Sequence, residues 1–365
     1  GRRQVITPGQ GKFITKSKGV QGRIDWTLGD IVLTSVSGYD KDEYNLSFDF
    51  DGSPTVIGQY RDSRSSFYGL SQDLHLTYDG EGFNIIGGVY AGKQQVRTFQ
   101  DLVYFGFLND FAGPNQFNPG GLFFTGPGAP PPTAVSTGAG FTQKQTSYAI
   151  YAEAKVDITD KFNITVGGRI TRDKVTFEDY YSLLRDSSFN PALYAYTSGR
   201  TTPGIGILTG GISPTLEQKA TKPTGRVILS YDIADRSLVY ASYSRGYRSG
   251  SYNGSSPVIQ PNGVGPEYVD AYEAGFKSRF WDNRIQLNGS IFYSKYIGQQ
   301  VQEVANGAAF IRSLSGRLYG AELELTAQPV EDFRLVAAVG YLNTRYDDNQ
   351  FLAPGDPRAT DPRGI

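Results

Sequence analysis

Residues 237–254 read SLVYASYSRGYRSGSYNG. Side chains alternate through Val239, Ala241 and Tyr243 on one face and Tyr240, Ser242 and Ser244 on the other. The chain then breaks into glycine, serine and arginine. Strict period two marks a β-strand with two different surroundings. The aromatic exit suits a wall between oil and water better than a water-soluble core.

Working outward, the same unit recurs. Residues 283–296 place Ile285, Leu287, Ile291 and Tyr293 opposite Arg284, Gln286, Asn288 and Ser290. Before them Tyr272, Ala274, Phe276 and Phe280 oppose Glu273, Lys277 and Arg279, with Trp281-Asp282-Asn283 as the turn. Further pairs turn at Leu28-Gly29, Asp79-Gly80-Glu81, Thr159-Asp160, Ile233-Ala234-Asp235 and Pro329-Val330-Glu331. The pattern predicts about twelve strands in six hairpins. Short turns alternate with long connections at 41–66, 98–142, 181–218, 251–265 and 298–308. One short end and one long end is the pattern of an antiparallel up-and-down transmembrane β-barrel, with aromatic girdles at the two interfaces. Glu153, Arg169, Arg226, Glu273, Lys277, Arg279, Arg284, Glu322 and Glu324 fall on the polar face, which a wet lumen can hold and a dry core cannot.

Composition agrees. The 365 residues carry 45 Gly, 25 Tyr and 22 Phe, no cysteine and one histidine, with a net charge of −1. That balance excludes a polyelectrolyte field and makes nucleic acid a poor partner. The cysteine count excludes disulfides and thiolate metal sites, and no cofactor or metal is expected. No apolar run is long enough for a spanning helix, although a spanning strand needs only about 10 residues. Methionine is absent and residues 1–20 lack a signal-type apolar core, so the expectation is an interior piece whose export signal lies upstream. GPGAPPP at 126–132 reads as part of a loop, and a single domain over 1–365 is expected.

Several segments resemble TonB-dependent receptors of the Gram-negative outer membrane. The resemblance is carried, in family order, by Leu33 to Tyr39, Ser71-Gln72-Asp73-Leu74, Val239 to Gly250, Pro266-Glu267 with Tyr272 to Ser278, and Tyr319-Gly320-Ala321-Glu322-Leu323-Glu324. It implies part of a barrel of roughly 22 strands, with the plug domain, the TonB box and the terminal strands outside this chain. It also implies a monomeric active transporter in outer-membrane lipid, taking up a scarce solute such as a ferric siderophore, with TonB as partner through the N-terminal region. A passive porin, or a receptor for oligosaccharide or cobalamin, stays open beside it.

Candidate ligand contacts are Tyr104, Phe105, Phe107, Tyr194 and Tyr196 in the long loops, where aromatic rings stack on planar ligands or pack over the mouth. Arg245, Arg248 and Tyr252, where the strand leaves the membrane, are either ligand contacts or headgroup anchors. His75 sits with Asp73 on the polar face, as a lumen residue or a haem or metal ligand. No nucleophile elbow or triad accompanies it, and no enzyme is expected. The glycine-rich run 204–211 misses the dinucleotide spacing.

Overall fold

In the computed structural model, residues 11–49, 58–105, 134–185, 215–254, 262–305 and 308–347 are described. Every regular element among them is a β-strand. They run β1 (Lys12–Leu28), β2 (Ile31–Asp49), β3 (Gly58–Gly80), β4 (Phe83–Phe105), β5 (Ala134–Asp157), β6 (Phe162–Arg185) and β7 (Leu216–Ala234). After them come β8 (Ser237–Arg248), β9 (Ser251–Asn253), β10 (Asn262–Val264), β11 (Glu267–Phe280), β12 (Ile285–Ala305), β13 (Ala308–Val330) and β14 (Phe333–Tyr346).

Twelve of these form one antiparallel meander, β1 to β8 and then β11 to β14, each strand bonded to the next in sequence. The sheet is open, with β1 and β14 as its edges. The strand count therefore matches the expectation, and β9 with β10 adds a small two-stranded hairpin that alternation did not reveal. All six short turns lie at one end. They are tighter than expected: Gly80 still pairs with Phe83, Ala234 with Ser237 and Val330 with Phe333.

The other end departs further from expectation. Four of the five connections predicted as long loops begin and finish as paired strand. β2 and β3 stay paired, across one register shift after Leu46, out to Asp49↔Gln59, and β4 and β5 stay in register to Phe105↔Ala134. The 298–308 connection is a hairpin in which Ala305 opposes Ala308. Strands of 23 and 24 residues are about twice what a bilayer requires. The segments 106–133, 186–214 and 348–365 lie outside the described residues, and with them the stretch at 126–132 and the run at 204–211.

Cross-strand register assigns every side chain to a face. One face carries Ile24, Leu74, Ile150, Val166, Leu229, Ile291 and Leu323, each more than a third exposed although large and apolar. β-branched and aromatic side chains suit such a pleated surface, and a water-facing surface this apolar would aggregate. Near the short turns this face ends in Trp26, Tyr78, Phe83, Tyr231, Phe280 and Phe333. Toward the other end it carries four tyrosines side by side. Tyr243 opposes Tyr272, Tyr272 opposes Tyr293, and Tyr293 opposes Tyr319. The first two rings are 5.0 Å apart and the next two 6.3 Å. From Tyr272 to Phe280 the chain climbs eight residues. At about 3.4 Å per residue and ~40° tilt this spans roughly 21 Å, close to the ~25 Å apolar band of a membrane barrel.

Candidate functional site

The opposite face is polar and built by side chains that reach across strands. Glu153, Arg169, Arg226, Glu273, Lys277, Arg279, Glu322 and Glu324 all fall on it: Glu153 opposes Gly167, which opposes Arg226, and Glu273 opposes Ser242. Arg226 donates from Nε and Nη2 to the two Glu153 carboxylate oxygens at 2.6 and 2.7 Å. The pair is bidentate and spans a whole strand. It can do so because the residue between is glycine: a Cβ on Gly167 would lie 2.6 Å from Glu153 Oε2. We expect a double-mutant cycle (Glu153→Gln, Arg226→Gln) to give a coupling of about 0.5–1 kcal/mol, since both groups are partly solvated. On a Gly167→Val background the coupling should fall to near zero. Urea unfolding of the full-length receptor measures both, and unchanged coupling would show that the pair does not need the gap.

A second network lies nearby. Tyr151 Oη donates to both carboxylate oxygens of Asp73 at 2.8 and 2.9 Å, and His75 Nδ1 lies 2.6 Å from Asp73 Oδ1. Tyr151 on β5 crosses over Gly88 on β4 to reach β3. A Cβ at Gly88 would meet His75 Cβ at 2.6 Å and Tyr151 Oη at 2.8 Å. The Arg169 guanidinium sits over the rings of Tyr90 and Tyr151, at 5.2 and 5.6 Å from their centroids, a cation–π arrangement. Farther round the wall Tyr240 donates to Glu273 Oε1 at 2.5 Å, and Lys277 lies 5.9 Å from the Tyr240 ring. Arg279 Nε donates to Gln286 Oε1 at 3.1 Å. Most of these charges are tied to neighbours on the wall.

At the long-strand end the β9–β10 hairpin folds over this polar face. Tyr252 is buried against Phe177 at 5.4 Å, and Phe177 stacks on Phe141 at 5.2 Å and meets Tyr180 at 5.9 Å. The Tyr252 amide donates to Gln143 Oε1 at 3.1 Å. Gln300 Nε2 donates to the Ser249 carbonyl at 2.8 Å, and Ser251 Oγ to Gln300 Oε1 at 2.8 Å. The hairpin is thus tied to β5 and β6 on one side and to β12 on the other. It covers this end of the polar face with an apolar cluster, a role invisible in three-residue strands.

The sequence-proposed contacts separate accordingly. Arg248 shares the polar face and lies 3.7 Å from Glu267 Oε1. Tyr252 spends its ring on the aromatic cluster. Arg245 has the parity of Tyr243 and sits on the outer, apolar-band face, over the Tyr268 ring at 5.1 Å and 3.6 Å from Asp270 Oδ1. That is the setting of a headgroup anchor. The backbone of Tyr104 and Phe105 belongs to the end of β4. Phe107, Tyr194 and Tyr196 lie outside the described residues. Tyr90, Tyr151 and Tyr240, which organise the polar face, were not singled out from sequence. Their partners sit one or two strands away, and only the register brings them together.

Comparison with solved structures finds the same wall. The ferric yersiniabactin uptake receptor FyuA from Yersinia pestis aligns with a TM-score of 0.65 at 15% identity, over 92% of this chain and 43% of that one. The siderophore receptor PiuA from Acinetobacter baumannii aligns at 0.58 and 15%, over 92% and 47%. The copper transporter OprC aligns at 0.58 and 16%, over 89% and 47%. The chain spans less than half the length of these structures. At such identity they establish the fold. A family model described as "TonB dependent receptor-like, beta-barrel" matches residues 2–363. With a model match over nearly its whole length and a fold to suit, the chain belongs to the TonB-dependent receptor β-barrel family.

Proposed function

We propose that this chain is part of the barrel wall of an outer-membrane active transporter that takes up a scarce solute, a ferric siderophore foremost. The observation that supports it most is the two-faced wall: an apolar band between two aromatic girdles outside, and a charged face inside, covered at one end by a docked hairpin. FyuA is a ferric yersiniabactin uptake receptor and PiuA a siderophore receptor, and the long-strand end is where such a ligand would be met. Arg248 and the aromatic residues Tyr104, Phe105, Phe107, Tyr194 and Tyr196 are the contacts proposed there. TonB, powered by the proton gradient, supplies the drive through residues outside this chain.

The test is uptake of radiolabelled ferric siderophores by cells lacking the gene, with and without TonB, under iron limitation. We expect uptake of at least one siderophore to be lost in both the gene deletion and the TonB deletion. Uptake that survives without TonB would support a passive pore, and iron uptake unchanged by the gene deletion would remove the siderophore assignment.

A further inference from the structure

Beside the hairpin cluster the polar face holds an open hollow. One register row across β2 to β5 carries Gly38, Ser71, Gly92 and Ser147, with no side chain longer than serine. Two rings lie down at its edges over glycine. A Cβ on Gly92 would lie 2.5 Å from Tyr90 Oη, and one on Gly69 would lie 3.1 Å from Phe67 Cζ. Between them is a cavity of about 270 Å³, rimmed by Asp40, Gln94, Gln145 and Ser147. Leu70 and Lys93 also border it, but they oppose each other on the parity of Leu74 and Val89, so their side chains belong to the outer face.

The rim is built to accept hydrogen bonds, and one buried carboxylate sets that direction. Asp173 is 4% exposed, and a carboxylate only accepts. It takes the Ser147 hydroxyl and, at 3.2 Å, Gln145 Nε2. Gln145 is thereby left with Oε1 toward Gln94, which donates to it from Nε2 at 2.8 Å. Gln94 Oε1 and the lone pairs of Ser147 remain for whatever enters. The Asp40 carboxylate makes no hydrogen bond or ion pair among the described residues. It lies over Gly19, where a Cβ would come within 2.7 Å of Oδ1, so glycine leaves it room to turn. Only the hydroxyls of Ser71 and Tyr90 can donate. From the Asp73 row to the Phe177 row, the polar face of β2 to β6 carries the carboxylates Asp40, Asp42, Asp73 and Asp173 and no cation. One row below, Arg169 is spent on the rings of Tyr90 and Tyr151, and His75 on Asp73.

We propose that this cavity binds a protonated amine on the transported ligand, with Asp40 as the residue that selects for it. The site rests on the transport reading and restricts the cargo to chelates that carry a free ammonium. An ammonium has three donors and no acceptor, which is the complement of this rim. The Phe67 ring adds a cation–π surface, while the Tyr90 ring already carries Arg169. An anionic chelate meets acceptors and carboxylates that repel it, and rejection of the wrong charge is half of specificity.

Isothermal titration calorimetry on the full-length receptor in detergent tests this with three probes. They are a linear ferric trihydroxamate ending in a primary amine, its N-acetyl derivative, and an anionic ferric tricatecholate. We expect the amine to bind on the order of tenfold more tightly than its N-acetyl form, from about fivefold for a partly solvated ion pair and about twofold for the ring. Asp40→Asn should weaken the amine about fivefold and leave the N-acetyl form unchanged. Asp40 is exposed, so the variant keeps the wall intact. Asp232→Asn, on the same face at the short-turn end, should alter neither. Equal affinity for the amine and its N-acetyl form overturns the site, as does an amine affinity unmoved by Asp40→Asn. A tricatecholate that binds more tightly than both hydroxamates also overturns it; any of these three results leaves the siderophore reading standing. Binding of none of the probes overturns the site too, and the uptake assay with and without TonB then decides the transport reading by itself.

Discussion

Replacing Ile291 by arginine is expected to be among the most damaging single changes in this wall. Ile291 is 63% exposed, faces outward from the middle of β12, and is flanked in register by Ala274 and Ala321. In water an exposed isoleucine tolerates arginine. In a bilayer the guanidinium must be carried to the depth of the hydrocarbon core, at a cost of about 2–4 kcal/mol near the midplane. That is roughly a 30- to 1,000-fold loss in the folding equilibrium. Its chain neighbour is the control. Ser290 points to the other face and lies opposite Glu322 and Gly275. Ser290→Arg should change stability by less than about 1 kcal/mol, because that face is wet and offers a carboxylate. Urea unfolding of the full-length receptor refolded into lipid vesicles gives both numbers. Equal penalties at 290 and 291 would mean that the two faces do not meet different solvents.

The second large effect is expected from Phe177→Ala. Phe177 is fully buried, its ring shared between Phe141, Tyr180 and Tyr252. Deleting a buried phenylalanine costs about 3–5 kcal/mol in a packed core. Here the loss falls on a local unit, because the cluster is what seats the β9–β10 hairpin on β5 and β6. The expectation is therefore a released hairpin on an intact wall. Hydrogen exchange at the Tyr252 amide, which donates to Gln143, reads it directly. Protection should collapse in the alanine variant and persist in Phe177→Leu, which keeps most of the apolar volume. Protection retained in Phe177→Ala would show that the links to Gln218 and Gln300 hold the hairpin without the rings.

The wall was legible in sequence because its signal is local. Ile285, Leu287, Ile291 and Tyr293 declare their face at a spacing of two residues, and parity puts the eight charges on one shared face, as the register does. Parity also contained the assignment of Arg245, which shares its face with Tyr243. Of the two alternatives open for it, ligand contact or headgroup anchor, counting by twos agrees with the anchor. What stayed hidden depends on partners far along the chain. DKDEYNLSFD at 40–49 opens on four charged residues and reads as loop, although Tyr44, Leu46 and Phe48 alternate with polar residues after them. It is strand because β3 lies beside it and completes its hydrogen bonds. Tyr151 meets Asp73 across 78 positions of sequence, and no spacing rule reaches that far. The β9–β10 hairpin is too short for periodicity to register, and its place over the polar face comes from the aromatic residues beneath it.

The excess length of the strands has a consequence for how the surface of this protein can change. The β4–β5 ladder runs without a break from Phe83↔Val156 to Phe105↔Ala134. Only about ten of those pairs are needed to cross a bilayer, and the rest rise as a collar, roughly 30 Å tall at a strand tilt near 40°. The connecting tips are thereby insulated from the lipid-embedded pairs. An insertion, an exchanged tip or a substitution that defeats an antibody or a phage is absorbed by hydrogen bonds standing in water, before it reaches the ones that hold the membrane seal. Changes at the rim are therefore expected to cost the belt beneath it little.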